Sequence, residues 1–342
     1  MNKFISKRLI LIAAVLSLLL LAAQAFAEGP GTRASYTRGG WVGPRYIGMG
    51  QCGAVLADDV YAIYWNPAGL TELKSKKKTS ADDIIEKART GGIDRITEKD
   101  LLSFSQPASE QDVVNVGVSG GMLAEERNAV FAGAAFGLFS GVMGVGGYSI
   151  MSLDIPSYGE NKARLNDTMY AGSVGYVSYG WSVGGTSLGI SIKGLYEKIA
   201  DYNYAGAGID AGAQVYILPF IKVGLAVYDL GTGLMPTNGG RELEKEYDLG
   251  TPSFRINAAI LSDVGFTFAI GVMKKLEQED YTPSFGIQYN VTDFMTVYAG
   301  MYDKDFSAGV SMNIFNFDIS YALAFDRIDN GVNNLVAVSM LF

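Results

Sequence analysis

Phe317-Asp318-Ile319-Ser320-Tyr321-Ala322-Leu323-Ala324-Phe325 alternates without a break. The odd positions are Phe, Ile, Tyr, Leu and Phe; the even ones are Asp, Ser, Ala and Ala. Successive side chains of a strand point to opposite faces, so this segment has one apolar face and one polar or small face. The preceding run repeats the pattern. Phe306, Ala308, Val310, Met312 and Ile314 alternate with Ser307, Gly309, Ser311 and Asn313. Ala205 to Ile217 does the same, with Gly206, Gly208, Asp210, Gly212 and Gln214 on the second face.

Working outward from these runs gives 14 strands: 113–123, 129–139, 142–153, 168–180, 186–199, 204–217, 221–231, 252–261, 266–277, 281–291, 295–303, 305–314, 317–328 and 334–342. Most are long enough to cross an outer membrane when tilted, whereas strands of soluble sandwiches run to about 5–6 residues. The connections alternate in length. With a periplasmic N-terminus, the long ones near 154–167 and 232–251 fall outside the cell. The tight ones near 140–141, 218–220, 292–294 and 315–316 fall on the periplasmic side. Outer-membrane barrels place short turns and long loops in this way. The chain ends Val336, Val338, Met340, Phe342 on one face. A terminal aromatic after alternating apolar residues resembles the signal read by the barrel-assembly machinery. Val338, Met340 and Phe342 are therefore the candidate assembly signal.

A closed barrel is the one sheet that can sit in lipid, because it leaves no backbone edge unpaired. Ile319, Leu323, Val310, Met312, Val297 and Ile287 are expected to face lipid. Asp210, Lys193, Lys222, Arg255 and Asp318 are expected to face the lumen. Between Ala129 and Gly147 both faces are apolar or small. Phe131 and Phe139 are candidate hydrophobic contacts on the lumen wall, for a greasy ligand or for a plug.

Composition agrees with a large antiparallel sheet. There are 43 Gly, 20 Tyr and only 9 Pro, where glycine is ordinarily about 7% of residues. Lys3, Lys7 and Arg8 precede an apolar run from Leu9 to about Ala23, and Ala25-Phe26-Ala27 supplies a small-x-small cleavage pattern. Residues 1–27 thus read as a signal peptide cut after Ala27, giving an outer-membrane location. The net charge of −8 becomes more acidic on cleavage, which argues against nucleic acid as a partner. The chain has no histidine and a single cysteine, Cys52. Histidine-dependent hydrolysis and a zinc site are therefore not expected, nor is any cofactor or enzyme activity.

Three regions precede or form the barrel: 28–70, Gly-rich and half-apolar; 71–112, charged; and the barrel, 113–342. Residues 71–112 read as a partly helical insertion, with short helices near 81–90 and 98–105. Residues 46–70 hold glycines at 48, 50 and 53 and an Asn66-Pro67 turn that Gly69 can close.

Gly48-Met49-Gly50, Ala57-Asp58-Asp59 and Tyr64-Trp65-Asn66-Pro67-Ala68-Gly69-Leu70 resemble the N-terminal signature of the FadL-like outer-membrane proteins, including the PorV/PorQ group. The resemblance implies a 14-stranded barrel with an N-terminal hatch inside it. It places Asn66, Pro67, Ala68 and Gly69 in that hatch. It also implies one of two functions. The first is transport of fatty-acid-like hydrophobic molecules through a hatch-gated lumen. The second is a PorV/PorQ-like, protein-binding component of a type IX-like secretion system with a plugged barrel. The expected partners are outer-membrane lipid, the assembly machinery and either a hydrophobic small molecule or a secreted or secretion-system protein.

Overall fold

The computed structural model describes residues 40–77 and 113–342, apart from parts of the connections at 125, 159–163, 165, 239–247, 263, 277–279 and 326–330. The expected leader and the helices near 81–90 and 98–105 lie outside the described residues.

The strands are β1 Val114–Leu123, β2 Arg127–Leu138, β3 Gly141–Ile155, β4 Thr168–Val183, β5 Thr186–Ile199, β6 Tyr202–Leu218, β7 Ile221–Asn238, β8 Asp248–Leu249, β9 Ser253–Leu261, β10 Phe266–Lys275, β11 Tyr281–Thr292, β12 Met295–Tyr302, β13 Asp305–Ile314, β14 Phe317–Phe325 and β15 Val332–Leu341. All pairings are antiparallel between chain neighbours, except that β1 pairs with β15 and β7 with both β8 and β9. The two-residue β8 adds to the edge of β7, so fourteen strands close the barrel. Closure is in register: Val118 faces Val338, and Asn115 faces Leu341. The strand spans expected from alternation match β1–β7 and β9–β15. The main difference is β7, which continues past residue 231 to Asn238.

The two rims differ. One joins strands by tight turns, at 139–140, 184–185, 219–220, 293–294 and 315–316. The other carries the longer connections, including 156–167 and the stretch from β7 to β9. These are called here the short-turn rim and the long-loop rim.

Alternation also decides the faces. In β14, Ile319 is exposed and Ser320 and Ala322 are buried. Lys193, Asp210, Lys222 and Arg255 are all buried on the inner face. Apolar residues outward and charges inward is the arrangement a lipid-embedded barrel requires.

The inside is filled by the N-terminal segment. Four short helices, α1 Pro44–Gly48, α2 Gly53–Leu56, α3 Ala62–Trp65 and α4 Glu72–Lys77, are joined by turns, with a 3-10 turn at Pro67–Thr71. None is long enough to be stable alone, since isolated helices below about 12 residues are marginal in water. They persist because each buries apolar side chains inside the barrel. Tyr46, Met49, Ile63, Trp65, Leu70 and Leu73 are at most 1% exposed and join the wall residues in one apolar cluster. The compact plug therefore continues past residue 70 to at least Leu73.

Candidate functional site

The plug is held to the wall at its hatch motif. Asn66 has an extended backbone, and its side-chain oxygen accepts from the Ala68 amide at 3.1 Å. It thus caps the 3-10 turn, whose first residue, Pro67, needs no donor partner. The Asn66 amide nitrogen donates to Ala54 O at 2.6 Å, Leu225 O at 3.2 Å and Ala213 O at 3.3 Å. The last two acceptors belong to strands β7 and β6. One fully buried carboxamide therefore ties two plug segments to two wall strands.

Such close approach requires small wall residues. A Cβ at Gly212 would overlap the Asn66 side chain. One at Gly189 would overlap Pro67 and Ala68, and one at Gly224 would overlap Ala54. Across the barrel, Gly286 and Gly300 leave room for Met49 and Gly50 in the same way. Gly69 lies against the Ala57 carbonyl, and a side chain there would collide with it.

Wall side chains satisfy the plug's backbone. Gln214 donates to Ala54 O at 3.0 Å and Ala57 O at 3.1 Å. Asn257 accepts from Ala54 N at 3.1 Å, and Asn115 accepts from Val60 N at 2.7 Å. Tyr228 donates to Trp65 O at 2.6 Å, Ser307 donates to Ile47 O at 2.8 Å, and Arg255 donates to Gln51 O. Short irregular helices leave many backbone groups unpaired, and burial makes each of them costly unless a partner is supplied. Sequence reading missed these wall amides as plug contacts. Their signal was a carboxamide on the inner face of a strand, where a lumen in contact with water alone would not require one.

Within the plug, Arg45 pairs with Asp58 at 2.8 Å. Asp59 accepts from Tyr46 Oη at 2.8 Å and from Tyr61 N at 2.9 Å. The two neighbouring aspartates thus brace the plug's turns. Glu72 reaches Lys222 on β7 at 3.3 Å. Burial raises the phenol pKa values of Tyr46 and Tyr64, and it pushes the Cys52 thiol up to about 11. Among the described residues no cluster of ligating side chains could hold a metal ion.

Phe131 is fully buried on the inner face and lies 5.5 Å, ring to ring, from Tyr61. It belongs to an aromatic group in which Tyr64 contacts Tyr148, Tyr176 and Trp65. Phe139 is not part of it. The expectation that it lines the lumen is corrected: it sits in the β2–β3 turn with φ of 51° and is 75% exposed. Strand β2 ends at Leu138, so alternation does not extend to Phe139. Val338, Met340 and Phe342 share the outer face near the closing seam. Phe342 N donates to Val114 O at 2.8 Å, and Phe342 is 51% exposed.

A polar cavity of about 120 Å³ separates plug from wall near the short-turn rim, between Arg45, Asp59 and Tyr61 and the inner face around Asp318, Ser320 and Ser339. A second, of about 160 Å³, lies at the opposite end of the plug.

The fold is that of solved hydrocarbon channels. A mutant of the monoaromatic hydrocarbon channel TodX superimposes with a TM-score of 0.58 at 10% identity, over 88% of this chain and 98% of that one. CymD, a monoaromatic hydrocarbon channel, gives 0.54 at 13%, over 88% and 96%. The Ralstonia pickettii toluene transporter TbuX gives 0.53 at 12%, over 88% and 98%. No family model and no curated protein matches the sequence. The likeness shows a shared fold: this chain and the neighbours are closed antiparallel β-barrels.

Proposed function

We propose that this protein carries hydrophobic small molecules across the outer membrane, with the plug as its gate. The observation that carries this reading is the chemistry of the inner wall beside the plug. Phe131, Tyr148, Ile150, Tyr176, Leu195 and Leu335 face inward and form one apolar cluster with Tyr61 and Tyr64. A barrel for ions or sugars has a polar lumen. Here, displacing the plug would uncover an apolar patch of the wall beside Tyr61 and Tyr64. The shared fold with hydrocarbon channels supports the same reading. Hatch gating places Asn66–Gly69 at the moving joint, and assembly through Val338, Met340 and Phe342 belongs to this reading too. Uptake of radiolabelled toluene and of a long-chain fatty acid, by cells with and without the protein, tests it. Uptake several-fold above the empty control is expected for at least one. Uptake no higher than the empty control for either compound would sink the proposal.

One observation favours the alternative, a plugged barrel that binds protein partners in the manner of the PorV/PorQ group. Tyr158 and Met235, at the long-loop rim, are 63% and 52% exposed. Leu234 beside them is buried. Purification in mild detergent, followed by mass spectrometry, separates the readings. A stoichiometric hydrophobic ligand supports transport; a stoichiometric protein without one supports the alternative.

A further inference from the structure

The cavity of about 160 Å³ lies between the first residues of the plug and strands β12–β15. On the wall its floor is one row of inner-face residues. Asn333 of β15 faces Ala324 of β14, and Ala324 faces Ser307 of β13. Adjacent strands lie about 4.8 Å apart, so Asn333 and Ser307 stand roughly 10 Å apart with the small Ala324 between them. Asp305 and Tyr302, paired across β13 and β12, continue the wall towards the long-loop rim. Trp41, Ile47 and Gln51 close the cavity from the plug side.

The polar groups of this lining give it a chemistry. Asn333 is 1% exposed, and its Oδ1 accepts from the Ala124 amide at 2.8 Å, which fixes the orientation of the carboxamide. Its Nδ2 is buried with no hydrogen-bond partner. Buried donors in native proteins are nearly always paired, so this one marks a place for an acceptor from outside the chain. The lining also accepts. Asp305 brings a carboxylate, and Ser307, whose hydroxyl donates to Ile47 O at 2.8 Å, keeps its oxygen lone pairs. Donor and acceptors thus share one small space with the Trp41 and Tyr302 rings.

That combination selects among ligands. A hydrocarbon would leave Asn333 Nδ2 unpaired and strip water from Asp305, and both cost free energy. An anion would meet the Asp305 carboxylate. A cation would meet the Arg255 guanidinium, which lies 5.4 Å from the Tyr302 ring. A neutral hydroxyl both donates and accepts. A pyranose carries several hydroxyls at its edge and C–H groups on its faces, and the latter suit aromatic side chains. Size sets the limit, since a cavity of roughly 150 Å³ holds one six-membered ring. We propose that this cavity binds the neutral pyranose ring of a sugar, free or at the end of a surface glycan. One hydroxyl accepts from Asn333 Nδ2, a second donates to Asp305, and the ring lies against the aromatic side chains. The site does not rest on the transport reading: loss of hydrocarbon uptake would leave it standing.

Ligand-observed NMR titration of the whole chain, folded in an amine-oxide detergent without sugar headgroups, tests it. The probes are the methyl glycosides of glucose, galactose and mannose, their uronate forms, and toluene. At least one glycoside should saturate the site and bind about ten-fold tighter than its uronate or toluene, the scale of one buried hydrogen bond left unmade. An oligosaccharide ending in that sugar separates the two sources: equal or tighter binding assigns a glycan end, and loss of binding assigns a free sugar. Ala324→Leu fills the space and removes no hydrogen bond of the lining. It should weaken the glycoside at least ten-fold in a barrel that stays heat-modifiable. Asp305→Asn should erase the preference for glycoside over uronate. No saturable binding by any of the three glycosides means that solvent alone fills the cavity, and overturns the inference. So do toluene binding as tight as the best glycoside and unchanged binding in Ala324→Leu. If Ala324→Leu fails to fold, an unchanged preference in Asp305→Asn overturns it instead.

Discussion

Asn66 of the plug meets Gly212 of β6 so closely that any Cβ at Gly212 would overlap its carboxamide. The contact is a built socket, because the same carboxamide also bridges Ala54, Ala213 and Leu225. Two substitutions probe it from opposite sides. Gly212→Ala should unseat the plug while the barrel, whose ladders are untouched, stays closed. Asn66→Asp should act more strongly, since it sets a carboxylate against three carbonyl oxygens. Removing a buried donor costs about 1–3 kcal/mol, and charge adds to that. The expected result is a lower thermal midpoint and raised outer-membrane permeability to large antibiotics, with heat-modifiable gel migration retained. Wild-type permeability in both variants would mean that the plug is not held at this joint.

Cys52, the chain's single cysteine, is buried in the plug and reports on its movement. Burial of the thiol, opposed by Ser284 and Arg255, raises its pKa from 9.0 to about 11. At pH 8 the seated plug therefore holds about 100-fold less thiolate than an ordinary thiol, and labelling should be slower by at least that factor. The sign for stability follows. The raised value stabilises the seated plug fully below pH 9, and this contribution is lost as pH rises from 9 towards 11. Labelling kinetics by mass spectrometry should show acceleration on adding a permeant molecule and in Gly212→Ala. Labelling at the rate of a free thiol in the resting protein would mean that the plug does not stay seated.

The barrel was legible because strand alternation is local and repeats. β14 could be read from nine residues, Phe317–Phe325, although its expected span ran on to 328 and the observed strand ends at Phe325. A buried plug element was legible in the run from Gly48 to Leu70, in which Asn66 is fully buried. Contacts set by distant residues were not. Gln214 reaches Ala54 across 160 positions, and Asn257 reaches it across 203. Alternation also says nothing about where the backbone breaks it. Phe139 takes a positive φ just past the end of β2, and Asp229 takes one within β7.

Deletion of Phe342 tests the reading of the C-terminus. The residue contributes a backbone bond to Val114 at the seam where β15 meets β1, and its exposed ring lies on the outer face. One lost bond at a strand end should hardly alter the stability of the finished barrel. A recognition role predicts more: surface levels should fall several-fold while refolded protein melts as wild type does. Phe342→Ser, which keeps the backbone bond, should reproduce the loss. Unchanged surface levels in both variants would remove Phe342 from the assembly signal.

The last prediction concerns Lys193, whose ammonium lies 2.6 Å from both Asp210 and Asp229 in a wall cluster that is almost wholly buried. By alternation Asp229 would face outward, because Lys222, Gly224 and Tyr228 mark the inner face of β7. Its φ of 62°, and the register shifts between β6 and β7 around Ile209, turn it inward. The Asp229 amide also donates to Asp210 Oδ1 at 2.8 Å, and Thr232 Oγ1 donates to Asp229 at 3.3 Å. This bulge lies just beyond the last β7–β9 pair, Tyr228 with Ser253. The cluster thus pins β7 at the point where it leaves its partner. Lys193→Met strands two carboxylates in the wall, and breaking such a buried pair costs about 3–5 kcal/mol. Asp229→Asn keeps the Lys193–Asp210 pair and should cost much less. Lys193→Met should therefore lose heat-modifiable folding or melt far lower, Asp229→Asn should melt close to wild type, and the double variant Lys193→Met/Asp229→Asn should recover part of the loss. Equal melting of Lys193→Met and wild type would show that β7 is held by its ladder alone.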